Sequence, residues 1–419
     1  MKTGWASVAL VIALAACGSA AEEPPPPSSP PPSSPTPPDT LAAEWFALPN
    51  GLEVDVVSGR CERGALALLL PVGADQDPEG HSGMARVLAH LLGAASPDAT
   101  VTVGRDHILY AMPLEGSPTS ALTDVAARLA HLEVSDDDLT RARAAVLADL
   151  ARMRGGDPAL TAESYAVEAI QPSSGEGWRG GLESEIESID RLALEAFVSA
   201  AFRPGHARLV VIGTEDLAAL RPAMERTLGA LPAGDAPATR APGTGRVLGT
   251  LVMGDAPSVI VIAVPAPPIH DPLFAPFLIH ASRLLAAATP STFQASYDWV
   301  ARPETLFITG PVQAGETPEA AASRIRFEMA TPLTALLAPA DVTATEERFA
   351  RLLGADDLSP ACAEPLPLAI ARARRAQLGI DALHLDDAIG SVTEDSLREA
   401  ASAFDAAHAT AVAGGGTLR

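Results

Sequence analysis

Trp45-Phe46-Ala47-Leu48-Pro49-Asn50-Gly51-Leu52-Glu53-Val54-Asp55-Val56-Val57 reads as strand, turn, strand. Asn50-Gly51 supplies the positive φ angles that a tight hairpin needs, between two runs suited to extended chain. Working outward, Ala65 to Val72 is an apolar strand, Met84 to Leu92 a helix, and Ile108 to Leu114 a further strand. Ser135-Asp136-Asp137-Asp138 starts a helix reaching Met153, with Ser or Asp as its N-cap. Leu209 to Ile212 closes this half as a strand ending at Gly213.

Residues 233–248, rich in Ala, Pro, Gly and Thr, read as a linker, and Val259 to Val264 opens a second strand-led half. An echo joins the halves. In the first, Ile186-Glu-Ser-Ile-Asp precedes a helix, then Phe202-Arg-Pro-Gly-His206-Ala207 and a strand. In the second, Ile389-Gly-Ser-Val-Thr-Glu-Asp-Ser-Leu is followed by Phe404-Asp-Ala-Ala-His408-Ala409, Val412 and Gly415. A duplicated α+β domain accounts for the match, with homologous domains at 41–232 and 249–419. His206 and His408, recurring at matched places, suggest turn packing rather than chemistry.

Composition sets limits. With 47% hydrophobic residues the chain can fill packed cores, and its Ala and Leu favour many helices. A net charge of −23 without long acidic runs excludes nucleic acid as a partner, because such binding needs clustered Lys and Arg. It also excludes attraction to anionic lipid. No segment after the start is an uninterrupted apolar run long enough to span a bilayer.

The start of the chain is distinctive. Lys2 precedes an apolar run from Val8 to Leu14, which ends in Leu14-Ala15-Ala16-Cys17. A short apolar core followed by small residues is a secretory signal, too short to remain as a spanning helix. The tetrapeptide resembles the bacterial lipobox, whose cysteine is acylated and becomes the new N-terminus. An ordinary signal with an incidental cysteine is the plainer reading. Under the lipobox reading, residues 1–17 are a lipoprotein signal peptide and Cys17 carries a multi-chain anchor, stable where one chain is marginal. Gly18 stands where an inner-membrane retention aspartate would be, which points to the outer membrane of the cell envelope. Residues 18–40, rich in Pro and Ser, form a semi-rigid tether. Cys61 and Cys362 remain, one in each half, and in an oxidising compartment they are candidates for a disulfide.

Further motifs fall in a telling order. Leu48-Pro-Asn-Gly-Leu-Glu-Val is followed by Val72-Gly-Ala-Asp75, Pro78-Glu-Gly80, Gly83-Met-Ala85 and the stretch Phe197 to Gly213. From Phe46 to Gly415 the chain resembles the insulinase, pitrilysin and mitochondrial-processing-peptidase family of inverzincin metallopeptidases. The resemblance implies two α+β domains, each a mostly antiparallel sheet covered by helices.

It also implies where the chemistry would lie. The family carries H-x-x-E-H with a distant Glu as third zinc ligand. Positions i and i+4 of a helix share a face, so both imidazoles reach one ion, and a catalytic zinc keeps an open position for water. Aligned on Gly83-Met84-Ala85, the motif falls on Arg86-Val87-Leu88-Ala89-His90. Arg86 then stands for the first ligand and Ala89 for the general base, leaving only His90. The third ligand falls in Arg143-Ala-Ala-Val146-Leu-Ala-Asp149, where Asp149 keeps a carboxylate on a shorter stem. Arg offers donors and positive charge only, so Arg86 repels zinc where a ligand is needed. The resemblance therefore implies vestigial positions at Arg86, Ala89, His90 and Asp149, with no metal and no cofactor. An Arg86–Asp149 salt bridge is the expected replacement, because a buried pair is tolerable where a lone ion is costly. Zinc held by His90 and Asp149, in an unusual metallopeptidase, is the alternative.

In the family's second half an Arg–Tyr pair holds substrate. Tyr297 matches the tyrosine, Ser291 stands where the arginine belongs, and Tyr297 reads equally as a buried strand residue. Gly80-His81-Ser82-Gly83 glances at a serine nucleophile elbow, but Met84 occupies the place of the last glycine. The sequence thus points to a lipid-anchored, non-catalytic peptidase homologue that partners an active zinc peptidase or acts as a scaffold. A peptide- or ligand-binding lipoprotein, and a metallopeptidase of envelope peptides, are the competing readings.

Overall fold

The Asn50-Gly51 turn sits where the sequence places it, and Asn50 does more than turn the chain. Its side-chain amide donates to Leu228 O at 2.7 Å and Leu231 O at 3.1 Å, fixing the hairpin to a distant segment. Gly51 has φ +89°, and a Cβ there would meet Gly205 Cα at 2.8 Å. The computed structural model describes residues 41–419 apart from 60, 97, 116–117, 131–133, 157, 160–161, 164–165, 167–180, 202, 215–216, 235–250, 253–257, 298–304, 354–357, 359–360, 378–384, 405–410 and 416–419.

The first sheet uses β1 (Ala42–Ala47), β2 (Glu53–Ser58), β3 (Gly64–Leu70), β4 (Thr100–Val103), β5 (Ile108–Leu114) and β6 (Arg208–Thr214). Its strand order is β1-β2-β6-β3-β5-β4, antiparallel except between β2 and β6. Among the described residues it is accompanied by α1 (Met84–Ala94), α2 (Pro118–Ala130), α3 (Asp136–Gly156), α4 (Glu183–Ser188), α5 (Arg191–Ala201) and α6 (Leu217–Thr227). Ser135 caps α3 as expected: its Oγ accepts from Asp138 N at 3.1 Å while Asp138 Oδ2 accepts from Ser135 N at 3.3 Å. Leu66, Leu68 and Leu70 face the helices, with Val87, Leu88 and Leu91 of α1 and Val146 and Leu150 of α3 packed in the same core.

The second sheet uses β7 (Leu251–Val252), β8 (Val259–Pro265), β9 (Gln294–Tyr297), β10 (Thr305–Pro311) and β11 (Ala411–Gly415), in the order β7-β11-β8-β10-β9. Its helices are α7 (Phe274–Ala287), α8 (Pro318–Thr334), α9 (Pro339–Leu353), α10 (Pro365–Gln377), α11 (Leu385–Gly390) and α12 (Glu394–Ala401). The order repeats that of β2-β6-β3-β5-β4, including one parallel pair at the same end. α7 follows β8 as α1 follows β3. Ile186 and Ile389, the two ends of the sequence echo, are both fully buried. The α+β duplication is thus a matter of topology as well as motif. The side chain of His206, all of His408, and most of the expected linker lie outside the described residues, as do Cys17 and the tether.

One helix crosses between the halves. β3 is buried on both faces, which explains why it reads as a continuous apolar run. Its Ala65, Ala67 and Leu69, with Leu109, Ala111, Val210 and Ile212, meet Leu368, Ala369 and Ala373 of α10. Arg372 of α10 donates to both oxygens of Asp55 on β2, at 2.6 and 3.1 Å. Just before α10, Cys362 is joined to Cys61 by a disulfide, with Cα atoms 4.8 Å apart.

Candidate functional site

α1 is held at its start by a carboxylate from outside the helix. Gly83, with φ +93°, has no side chain with which to cap, so Asp77 takes the orphan donors: its oxygens accept from Gly83 N at 2.7 Å and Ala85 N at 2.8 Å. Asp77 is partly buried. Burial pushes its carboxyl pKa up to about 7, against the opposing pull of the two N–H donors and of Arg86. Ser82 is also committed. Its Oγ accepts from Leu182 N at 2.9 Å, and its own N–H donates to Glu185 at 2.9 Å. A hydroxyl tied into a loop contact, followed by a helix rather than preceded by a strand, is no nucleophile elbow.

With its apolar face in the core, α1 turns Arg86, Ala89, His90 and Gly93 to the other side, as positions three and four apart must. That face borders a hollow of about 560 Å³ whose remaining walls are Ala94, Asp149 of α3, and Val101, Thr102 and Val103 of β4. The four positions singled out by sequence therefore meet in one place. β4 is the last strand of its sheet and pairs only with β5 among the described residues.

The expected Arg86–Asp149 salt bridge is not formed. Asp149 Oδ2 lies 2.9 Å from His90 Nε2, and its Oδ1 takes the guanidinium of Arg152 one turn along α3. A neighbour on the same helix pairs at little entropic cost and His90 takes the other oxygen, so Asp149 is held toward these two partners rather than toward Arg86. Arg86 Nε is buried without a hydrogen-bond partner, and no ion pair to Arg86 occurs among the described residues. Burial lowers its pKa while Asp77 and Asp149 oppose the shift, and a guanidinium stays charged throughout.

This donor set does not fit a catalytic zinc. His90 and Asp149 offer two ligands where three are wanted, and a fixed positive charge stands in the place of another. Ala89 has no group to activate water. Among the described residues, no three His, Cys, Asp or Glu side chains cluster as ligands would.

Tyr297 is placed elsewhere. It sits half-buried on the edge strand β9, with its ring edge-on to Phe277 at 5.6 Å and to Phe349 at 6.2 Å, as packing residues are. Ser291 is exposed and its hydroxyl lies 3.4 Å from that of Thr289. Sequence reasoning missed two things: the role of Asp77 in anchoring α1, and strand β4 as a wall of the hollow. The alternating β-branched residues of Thr100-Val101-Thr102-Val103 are the signal that would have found the strand. No helix among the described residues is long and apolar enough to cross a membrane.

No protein-family model and no curated protein matches the sequence. Solved structures do match in fold. A protease from Helicobacter pylori superposes with a TM-score of 0.72 at 15% identity, covering 89% of this chain and 99% of that one. A peptidase M16 inactive domain from Pseudomonas fluorescens gives 0.67 at 15% identity, covering 90% and 98%. The periplasmic protease PqqL from Escherichia coli gives 0.67 at 14% identity, covering 91% of this chain and 48% of that one.

Proposed function

We propose, for a chain that has the M16 peptidase fold of the insulinase and pitrilysin type, a role without peptide hydrolysis: a lipid-anchored envelope protein that partners an active homologous zinc peptidase or acts as a scaffold. The observation that carries this reading is the helix face Arg86-Ala89-His90, where a guanidinium and a methyl replace a ligand and the base, and His90 is spent on Asp149. One similar fold is described as an inactive domain, so loss of chemistry has a counterpart in the same architecture. The envelope setting is supported by the signal-like start with Cys17, by the Cys61–Cys362 bond, and by the periplasmic setting of PqqL.

Metal content and proteolysis test the first part. Purified protein is expected to hold well under one zinc per chain and to leave unstructured peptides intact. Stoichiometric zinc, with cleavage abolished by His90→Ala, overturns the reading. Anchoring is tested by acyl labelling, which Cys17→Ala should abolish. Crosslinking from intact membranes tests the partner: the expected capture is a homologue bearing an intact H-x-x-E-H.

A second reading has its own observation. The hollow beside β4 adjoins a sheet edge, and such an edge offers backbone donors and acceptors to an extended chain. In that reading the protein holds a peptide that it does not cut.

A further inference from the structure

We infer that Arg86 is a carboxylate anchor, so that the hollow under β4 takes the acidic side chain of an extended peptide. This rests on the peptide-holding reading above and adds the chemistry of what is held.

The carboxylates nearest this guanidinium are already engaged. Asp149 lies across the hollow, yet one of its oxygens is engaged by His90 and the other by Arg152. Both oxygens of Asp77 are likewise engaged, by the N–H groups of Gly83 and Ala85. Neither carboxylate makes a hydrogen bond to Arg86, whose donors are all unused among the described residues. A half-buried guanidinium whose Nε is closed off without a partner is costly, and a bidentate carboxylate is the group that matches its planar fork. Ala89, Gly93 and Ala94 line the same hollow and are small, so a carboxylate can come close to the helix surface.

What carries that carboxylate follows from the other wall. Val101, Thr102 and Val103 belong to an edge strand, so backbone groups suited to a peptide border the space that Arg86 faces. A free small anion would use the guanidinium alone and leave the strand edge idle. An acidic residue within an extended segment uses both.

The test uses the full chain and two capped heptapeptides, Thr-Val-Thr-Xaa-Thr-Val-Thr, with Glu or its isostere Gln at the centre. Binding is measured by calorimetry and peptide integrity by mass spectrometry. A charge-assisted pair predicts that the Glu peptide binds about tenfold or more tighter than the Gln peptide. Arg86→Met should bring the ratio to one, and Arg86→Lys should keep a reduced preference because charge remains while the fork is lost. Equal affinity for the two peptides, absence of binding by both, or a preference surviving in a folded R86M protein overturns the inference. Should R86M fail to fold, the wild-type ratio and R86K decide. Cleavage of the peptide would instead sink the non-catalytic reading, while the Glu-to-Gln ratio would still report on Arg86.

Discussion

α1 (Met84–Ala94) and α7 (Phe274–Ala287) are the same element of a repeated topology, each following the sheet's central strand, yet they treat their arginines in opposite ways. In α7 every residue from Phe274 to Leu284 is buried. Arg283 is closed in and donates to Ala335 O at 3.0 Å, Leu336 O at 2.9 Å and Asp341 at 2.7 Å, so it caps the end of α8. His280 gives its Nε2 proton to Leu397 O at 2.8 Å, which ties α7 to α12. In α1 the outer face opens on a hollow, and Arg86 pairs with nothing described. One helix uses its polar groups to hold the fold together, and its counterpart leaves a cation unused. The proposal that Arg86 anchors a carboxylate rests on that contrast.

The largest expected effect tests the structural side of this contrast. Arg283→Met strands Asp341 and the carbonyls of Ala335 and Leu336, and should cost about 3–5 kcal/mol in urea unfolding. A loss below about 1 kcal/mol would mean that α7 does not depend on its arginine. Next comes the staple. Reducing Cys61–Cys362 should cost about 2–4 kcal/mol. Hydrogen exchange should then rise in β3 and β6, which α10 covers, and much less in β8 and β10. Equal loosening of both sheets would refute the one-sided role of α10.

Acidity should pull the two halves apart. Asp77, raised from 3.8 to about 7, binds more protons folded than unfolded in that interval, so its contribution to stability falls as pH rises from about 4 to about 7. His280, lowered by burial from 6.5 to about 4, binds fewer protons folded, so its contribution is present above 6.5 and is lost as pH falls toward 4. Each slope is at most about 1.4 kcal/mol per pH unit, and in the wild type they oppose one another. Asp77→Asn should uncover the histidine slope and His280→Gln the aspartate slope, both read from unfolding midpoints across pH. Parallel profiles for the two variants would refute the assignment. The smallest effect is Arg86→Met, expected within about 1 kcal/mol of wild type because no hydrogen bond or ion pair among the described residues is lost.

Much of this was legible because it is local. β5 spans Ile108–Leu114 as its apolar run indicates, and α3 begins after Ser135 because a side-chain cap is written in the adjacent residues. The meeting of Arg86, Ala89, His90 and Asp149 followed from helical spacing and family resemblance together. What the sequence hid was the choice among partners. Asp149 had a closer cation three residues away on its own helix, and the expected ion pair gave way to it. Asp77 reads as an ordinary loop aspartate until the glycine at the head of α1 is seen to lack a cap. The alanine-rich face of α10 resembles that of any small-residue helix, and only the nearby Cys362, a candidate partner for Cys61, hints that it belongs against strands of the first half.

That last feature bears on how the protein is made. A chain emerging N-terminus first lays out β1 to β6 long before Pro365–Gln377 arrive. Through that interval Val57, Ala65, Ala67, Leu69, Val210 and Ile212 present an apolar sheet face with nothing laid across it. A ribosome halted, or a protease cutting, between the two sheets would leave behind a sticky intermediate rather than a finished domain. Nascent chains therefore carry that open face until the second half delivers the helix that seals the first.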